Sequence, residues 1–188
     1  MARLPHPLQQ RLEKTARSYF EAPGLHVDFS APPGAEALVA ADSLTWRVMK
    51  NPVALIVGGI AAVILELAEP RVRSGVWEHT SFRRDPVTRM RRTGYAAMAT
   101  VYAPAETARR MIAGVAQAHQ RIAGETPTGA AYRASDEALL NWVHATASYG
   151  FFEAYSRFVH PLSRVELDQL FAEGAAGAAL YGAHGAPR

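Results

Sequence analysis

The chain has 188 residues, of which 49% are hydrophobic and 20% charged, which excludes wholesale disorder and leaves room for one compact domain. Its formal net charge of +3 is too small a surplus to argue for nucleic acid. It has no cysteine, which excludes disulfide frameworks, thiolate zinc or iron–sulfur sites, cysteine nucleophiles and covalently attached haem.

The N-terminus, MARLPHPLQQRLEK, has no apolar run of the secretory kind. Leu8, Leu12 and Tyr19 follow helical spacing over Leu8–Glu21, and Pro23-Gly24 ends that helix. Phe29 to Glu36 (FSAPPGAE) reads as a linker or arm. Residues 1–43 are therefore expected to form an N-terminal helix and arm ahead of a helical domain over 44–188. Leu44–Lys50 leads through Asn51-Pro52 into Val53–Leu65 (VALIVGGIAAVIL), an uncharged stretch followed at once by Glu66 and Glu69. It is too short to cross a bilayer. The expectation is a fully buried core helix, with a membrane hairpin as the alternative, and a cytoplasmic protein with no stable membrane span. The Gly58-Gly59 pair inside it costs about 1 kcal/mol per glycine relative to alanine. Either close helix packing or room for a flat ligand would account for that.

Asp85-Pro86 is an N-cap followed by proline at the first helical position, so a helix is expected from Pro86 to Tyr102. Pro104 starts another, ending before Gly124 in the usual C-terminal glycine position. Gly124–Ala134 (GETPTGAAYRA) is rich in turn residues and reads as a connection or a small hairpin. Ser135 is expected to cap a long helix from Asp136 to Val159, ended by Pro161. Ser163-Arg164-Val165-Glu166 is a capping box for the last helix. The tail, GAAGAALYGAHGAPR, lacks helix-stop residues and reads as a chain cut in mid-domain.

The chain contains no GxGxxG, Walker A, HExxH or GxSxG motif, and no Glu-x-x-His pair, so the common signatures of four enzyme classes and of di-iron bundles are missing. Its histidines are 6, 26, 79, 119, 144, 160 and 184. None has a second histidine three or four residues away, which leaves only single-histidine sites. His119 shares a stripe with Met111, Val115 and Ile122, an imidazole on an apolar face. It is either a hydrogen-bonded core histidine or an axial ligand to a haem iron. His144 lies on a stripe with Leu140, Ala147 and Phe151, where ordinary packing is the simpler reading. Seven arginines fall between Arg71 and Arg92, and a solvated face is the default for such a run. Arg89 and Thr93 depart from it, because their face continues through Ala97 and Val101 into apolar positions. An inward arginine needs an anion or a carbonyl; haem propionates, an oxygen ligand, Glu66 or Glu69 would each serve.

The segments NPVALIVGGIAAVILELAEPRVRSGVWEHTSFRRDPVTRMRRTG, AHQRIAG, YRASDEALLNWVHAT and FFEAYSRFV resemble, in order and spacing, the MpaB/rubber-oxygenase (latex-clearing-protein-like) family. The resemblance runs from Leu44 to Arg188. It implies an all-α fold, a non-covalent haem b, and dioxygen-dependent cleavage or oxidation of carbon–carbon double bonds in isoprenoid chains. It places the haem-ligating histidine on His119 and the family's Arg-x-x-x-Thr pair on Arg89 and Thr93. It also matches His144 to the WVHA motif, with a structural or supporting role. Glu66, Glu69 and Glu78 are candidate bases. Departures from the family pattern are Glu66-Leu67-Ala68-Glu69-Pro70 in place of Gln-Leu-Ala-His-Pro, Arg92 in place of a lysine before the threonine, and a lone Arg121 beside the ligand histidine. Relatives also continue past the position of Arg188.

The resulting expectation is an all-α, single-domain orthogonal bundle of about six to eight helices enclosing a haem pocket. Its expected function is a haem b-dependent oxygenase that uses O2 on an apolar, unsaturated, isoprenoid-like small molecule. Two rivals come from other classes. One is a non-catalytic helical binder of an apolar ligand or haem. The other is an arginine-rich nucleic-acid binder, which the sequence supports only through its 71–92 cluster and whose affinity would fall steeply with salt. Oligomeric state is open at this level.

Overall fold

The computed structural model describes residues 27–29 and 31–187; the helix expected over Leu8–Glu21 lies outside them. The described chain is mainly helical. Its α-helices are α1 (Leu44–Met49), α2 (Gly59–Glu66), α3 (Pro70–His79), α4 (Pro86–Tyr102), α5 (Ala105–Gln120), α6 (Glu137–Phe158) and α7 (Arg164–Leu180). A hairpin of β1 (Ala123–Glu125) and β2 (Ala131–Arg133) joins α5 to α6, with Gly124 opposite Tyr132.

Local chemistry accounts for several of the helix starts. Ser43 caps α1 by accepting from the Trp46 amide at 3.1 Å. Asp85 caps α4 by accepting from Thr88, with Pro86 at the first position. Ser163 and Glu166 form the reciprocal capping box that opens α7. Two expected boundaries move. The cap of α6 is Asp136 rather than Ser135, and its side chain makes no capping bond. Gly124 is not a helix-terminal glycine: α5 stops at Arg121, and Gly124 lies in β1. A Cβ on Gly124 would come within 2.7 Å of the Tyr132 hydroxyl, so the residue is small because Tyr132 lies against it.

The main apolar core joins α1, α6 and α7 through Leu44, Val48, Ala54, Phe152, Tyr155 and Leu170. A second cluster of Val72, Tyr132 and Leu139 ties α3 and the hairpin to α6. A third, of Ala99, Ala103 and Ala108, closes the α4–α5 corner, with Val27 and Leu38 packed against it.

The stretch expected as a fully buried helix differs in two respects. Ala54–Gly58 is one π-helical turn that runs into α2. Only one face is buried, through Ala54, Gly58, Ala62 and Glu66, while Val53, Ile56, Val57, Ile60 and Ile64 are exposed. Backbone proximity is the reason. A Cβ on Gly58 would lie 2.7 Å from the Gly150 carbonyl oxygen, and one on Gly150 would lie 2.6 Å from that of Gly58. The buried face thus meets α6 through small residues, and the branched side chains are left outside. Of the two readings of the glycine pair, close helix packing is the one seen at Gly58.

Candidate functional site around His119

Helix α5 lies between two apolar clusters: Met111 packs into the α4–α5 corner and Ile122, just past its end, packs into the Val72–Tyr132–Leu139 cluster. His119 lies one turn before Ile122, so its imidazole is carried into the partly buried region between them. Its Nδ1 is buried and has no hydrogen-bond partner among the described residues. An unpaired buried ring nitrogen costs on the order of 1–3 kcal/mol. Burial, and then the Arg89 charge, hold its pKa below the ordinary histidine value, so the ring is neutral at pH 7.

Arg89 comes from the first turns of α4 and is partly buried. Burial lowers its pKa, and the charge of Glu66 opposes that effect. Glu66, at the end of α2, is 7% exposed. Burial raises its pKa, and Arg89 opposes the rise. Arg89 is thus electrostatically coupled to a carboxyl from α2 on one side and to an imidazole from α5 on the other. The end of α2 is further fixed by Trp142 of α6, whose Nε1 donates to the Glu66 carbonyl at 3.2 Å.

The other candidate residues separate from this group. Thr93 is exposed rather than inward, and its hydroxyl donates to the Arg89 carbonyl at 3.1 Å. Along the face it shares with Arg89, Arg89 is partly buried, Thr93 is exposed, and Val101 is buried. His144 lies in the α6–α7 interface: Ser148 Oγ is 3.4 Å from its Nε2, and a Cβ on Gly174 would be 3.6 Å from its ring. Its pKa is lowered by burial. Glu69 is occupied in capping α3 and in an ion pair with Arg71 at 2.8 Å, and Glu78 is exposed. Of the three candidate acids, only Glu66 is buried beside Arg89.

A surface cleft lined by Ser43, Trp46, Lys50 and Gln169, among others, contains none of Arg89, Thr93, His119 or His144. Sequence reading missed the hydrogen bond of Trp142 to the Glu66 carbonyl and the close approach of Gly150 to the helix that carries Glu66. The glycine inside ASYGFFE was the available signal for the second, since a glycine within a long helix calls for a packing reason.

A neutral imidazole with an unsatisfied ring nitrogen is the form a metal or haem iron takes as a ligand. Among the described residues no group of three His, Cys, Asp or Glu side chains is placed to hold a metal ion. A macrocycle that brings its own four nitrogens asks the protein for one axial imidazole, so the donor set around His119 fits haem better than a bare ion. An adjacent guanidinium also suits a carboxylate-bearing group.

The site and its helical frame define an all-α protein in which a partly buried imidazole and the partly buried Arg89 sit within electrostatic reach of one another and of the buried Glu66. The family described as ER-bound oxygenase mpaB/B'/rubber oxygenase, catalytic domain, matches residues 46–188, and the chain belongs to it. This bears out the resemblance carried by the four sequence segments. No curated protein and no solved structure matches the chain.

Proposed function

We propose that this chain is a haem b-dependent oxygenase acting with O2 on an apolar, unsaturated, isoprenoid-like small molecule. The observation that carries the reading is the buried, unpaired Nδ1 of a neutral His119 beside Arg89, within a chain of an oxygenase family. When bound, haem supplies a redox-active iron for reaction with dioxygen. Cleavage of one carbon–carbon double bond then places the two oxygen atoms in two carbonyl groups and needs no further reductant.

The chain's own residues hold and orient. His119 would hold the iron through a ring nitrogen, from a partly buried position between two apolar clusters. Arg89 would bind a haem propionate or another oxygen anion, and Glu66 would limit the net charge at that point. Thr93, one turn beyond Arg89, offers a hydroxyl at the exposed edge of the same helix. His144 would act only indirectly, by its packing in the α6–α7 interface.

The test is the visible spectrum of protein produced with haem supplied, before and after dithionite. The expected result is a Soret band that shifts on reduction and is lost, with the haem, in a folded His119→Ala variant. Full haem occupancy with an unchanged spectrum in that variant overturns the ligand assignment. A folded wild-type chain that takes up no haem overturns the oxygenase reading in favour of a non-catalytic binder.

A further inference from the structure

The π turn and α2 carry an aliphatic stripe that the fold leaves uncovered among the described residues. Val53, Ile56, Val57, Ile60 and Ile64 recur at helical spacing and so share a face; they are 37, 38, 41, 43 and 67% exposed. The face cannot rotate inward. Its opposite side is held against α6 by the Gly58–Gly150 approach, where any side chain would meet backbone at under 3 Å. Contiguous exposed apolar surface of this kind marks a contact with a membrane or another protein.

The charge pattern chooses between those partners. From Ser43 to Leu65 the chain has no carboxylate, and its only charges are Arg47 and Lys50. Arg47 is paired with Glu166, whereas Lys50 is exposed and belongs to no ion pair seen among the described residues. Beyond the far end of the stripe, Glu66 is buried and Glu69 is held by Arg71, while Arg73 is exposed and donates to the Leu67 carbonyl. Trp142 is 40% exposed there, with its indole Nε1 tied to the Glu66 carbonyl. A branched aliphatic stripe flanked in sequence by the exposed cations Lys50 and Arg73, neither in an ion pair seen among the described residues, and with an anchored indole near one end suits the boundary between lipid headgroups and acyl chains. No described helix is long and apolar enough to cross a membrane, so such a contact lies along the surface.

We propose that the face formed by Val53, Ile56, Val57, Ile60 and Ile64 docks the protein onto an anionic phospholipid bilayer. The inference stands apart from the oxygenase reading, because neither haem nor His119 enters it.

The experiment is flotation of the full chain with vesicles of phosphatidylcholine alone and of phosphatidylcholine mixed with phosphatidylglycerol. Binding is expected to the mixed vesicles and to weaken without the anionic lipid. The Ile60→Asp/Ile64→Asp variant is expected to lose at least about tenfold in partitioning, at an unchanged melting temperature. As a second measurement, bromine-labelled acyl chains should quench tryptophan fluorescence in the wild-type chain, and Trp142→Phe should lose most of that quenching. Three results overturn the proposal. One is no flotation with either lipid. Another is a large fall in melting temperature in the double aspartate variant, which means that the face is packed inside the chain. The third is a dimer, seen by light scattering, that the same variant dissociates, which means that a second copy covers the face.

Discussion

Glu173 accepts from the Leu44 amide at 3.2 Å and from both the amide and hydroxyl of Thr45 at 2.7 Å, so a carboxylate on α7 caps the start of α1. Burial raises its pKa, but hydrogen bonds from Thr45, Gln169 and Leu44 outweigh that and hold it below the ordinary value. A depressed carboxylate stabilises fully above its unfolded pKa of about 4.5, and the contribution is lost as pH falls through the folded value. Glu173→Ala should therefore cost about 2–3 kcal/mol in urea denaturation at pH 7, and the cost should shrink as pH falls from 4.5 through the folded value. Glu66 has the opposite sign. Its raised pKa means that ionisation opposes folding, so stability falls as pH climbs from 4.5 through the folded value. Glu66→Gln, which keeps the shape without the charge, should melt higher than wild type at pH 7.5, and the difference should close as pH approaches 4.5. The sequence showed Glu66 as one of three candidate acids and, with Glu69, as one of several possible partners for Arg89. Its burial beside Arg89, and the occupation of Glu69 by Arg71, come from how α2, α3 and α4 meet.

At the scale of elements, helix starts were the most legible feature. Asp85-Pro86 and the Ser163–Glu166 box are local chemistry, satisfied within one turn of their own helix. The buried face of the 53–65 stretch was not legible, because an unbroken apolar run has no polar side to show which way it turns. Gly58 and Gly150 decide that orientation by letting two backbones touch. Gly58→Ala should lower stability by about 1–3 kcal/mol, since backbone atoms of α6 have to move. Gly114 gives the contrasting case: it lies inside α5 and a Cβ there meets nothing within 4 Å. Gly114→Ala should raise stability by about 0.5–1 kcal/mol through helix propensity. Thermal melts of the two variants side by side check both signs.

Over the whole molecule, acid lability sums groups of opposite sign. His144, buried between α6 and α7, has its pKa lowered by burial, so the unfolded chain takes up a proton more readily. Stability is therefore lost as pH falls below about 6.5 towards the folded value. A His144→Gln variant should show a flatter dependence of melting temperature on pH between 7.5 and 5, a readout that a simple packing defect would not give. Small residues bring α7 close to its neighbours: Gly174 faces the His144 ring of α6, and Gly177 faces Thr100 of α4, whose hydroxyl is 2.9 Å from that of Tyr181. The glycine- and alanine-rich run near the end of the sequence thus folds as the packing face of α7.

The sequence by itself determined the helical class, the main helix starts and the family, because periodicity, capping and motif order act over a few residues or are carried directly by residue identity. Its apolar stripe marked His119 as a candidate alongside His144, and only the family resemblance put the ligand role on His119. Tertiary structure decided what no local pattern encodes. It left Thr93 at the surface while Arg89 turned towards Glu66 and His119, and it assigned His144 to the α6–α7 interface. It also exposed the aliphatic face of α2. Each of these depends on which helix lies opposite, and that is set by side-chain volume and burial summed over residues far apart in the chain.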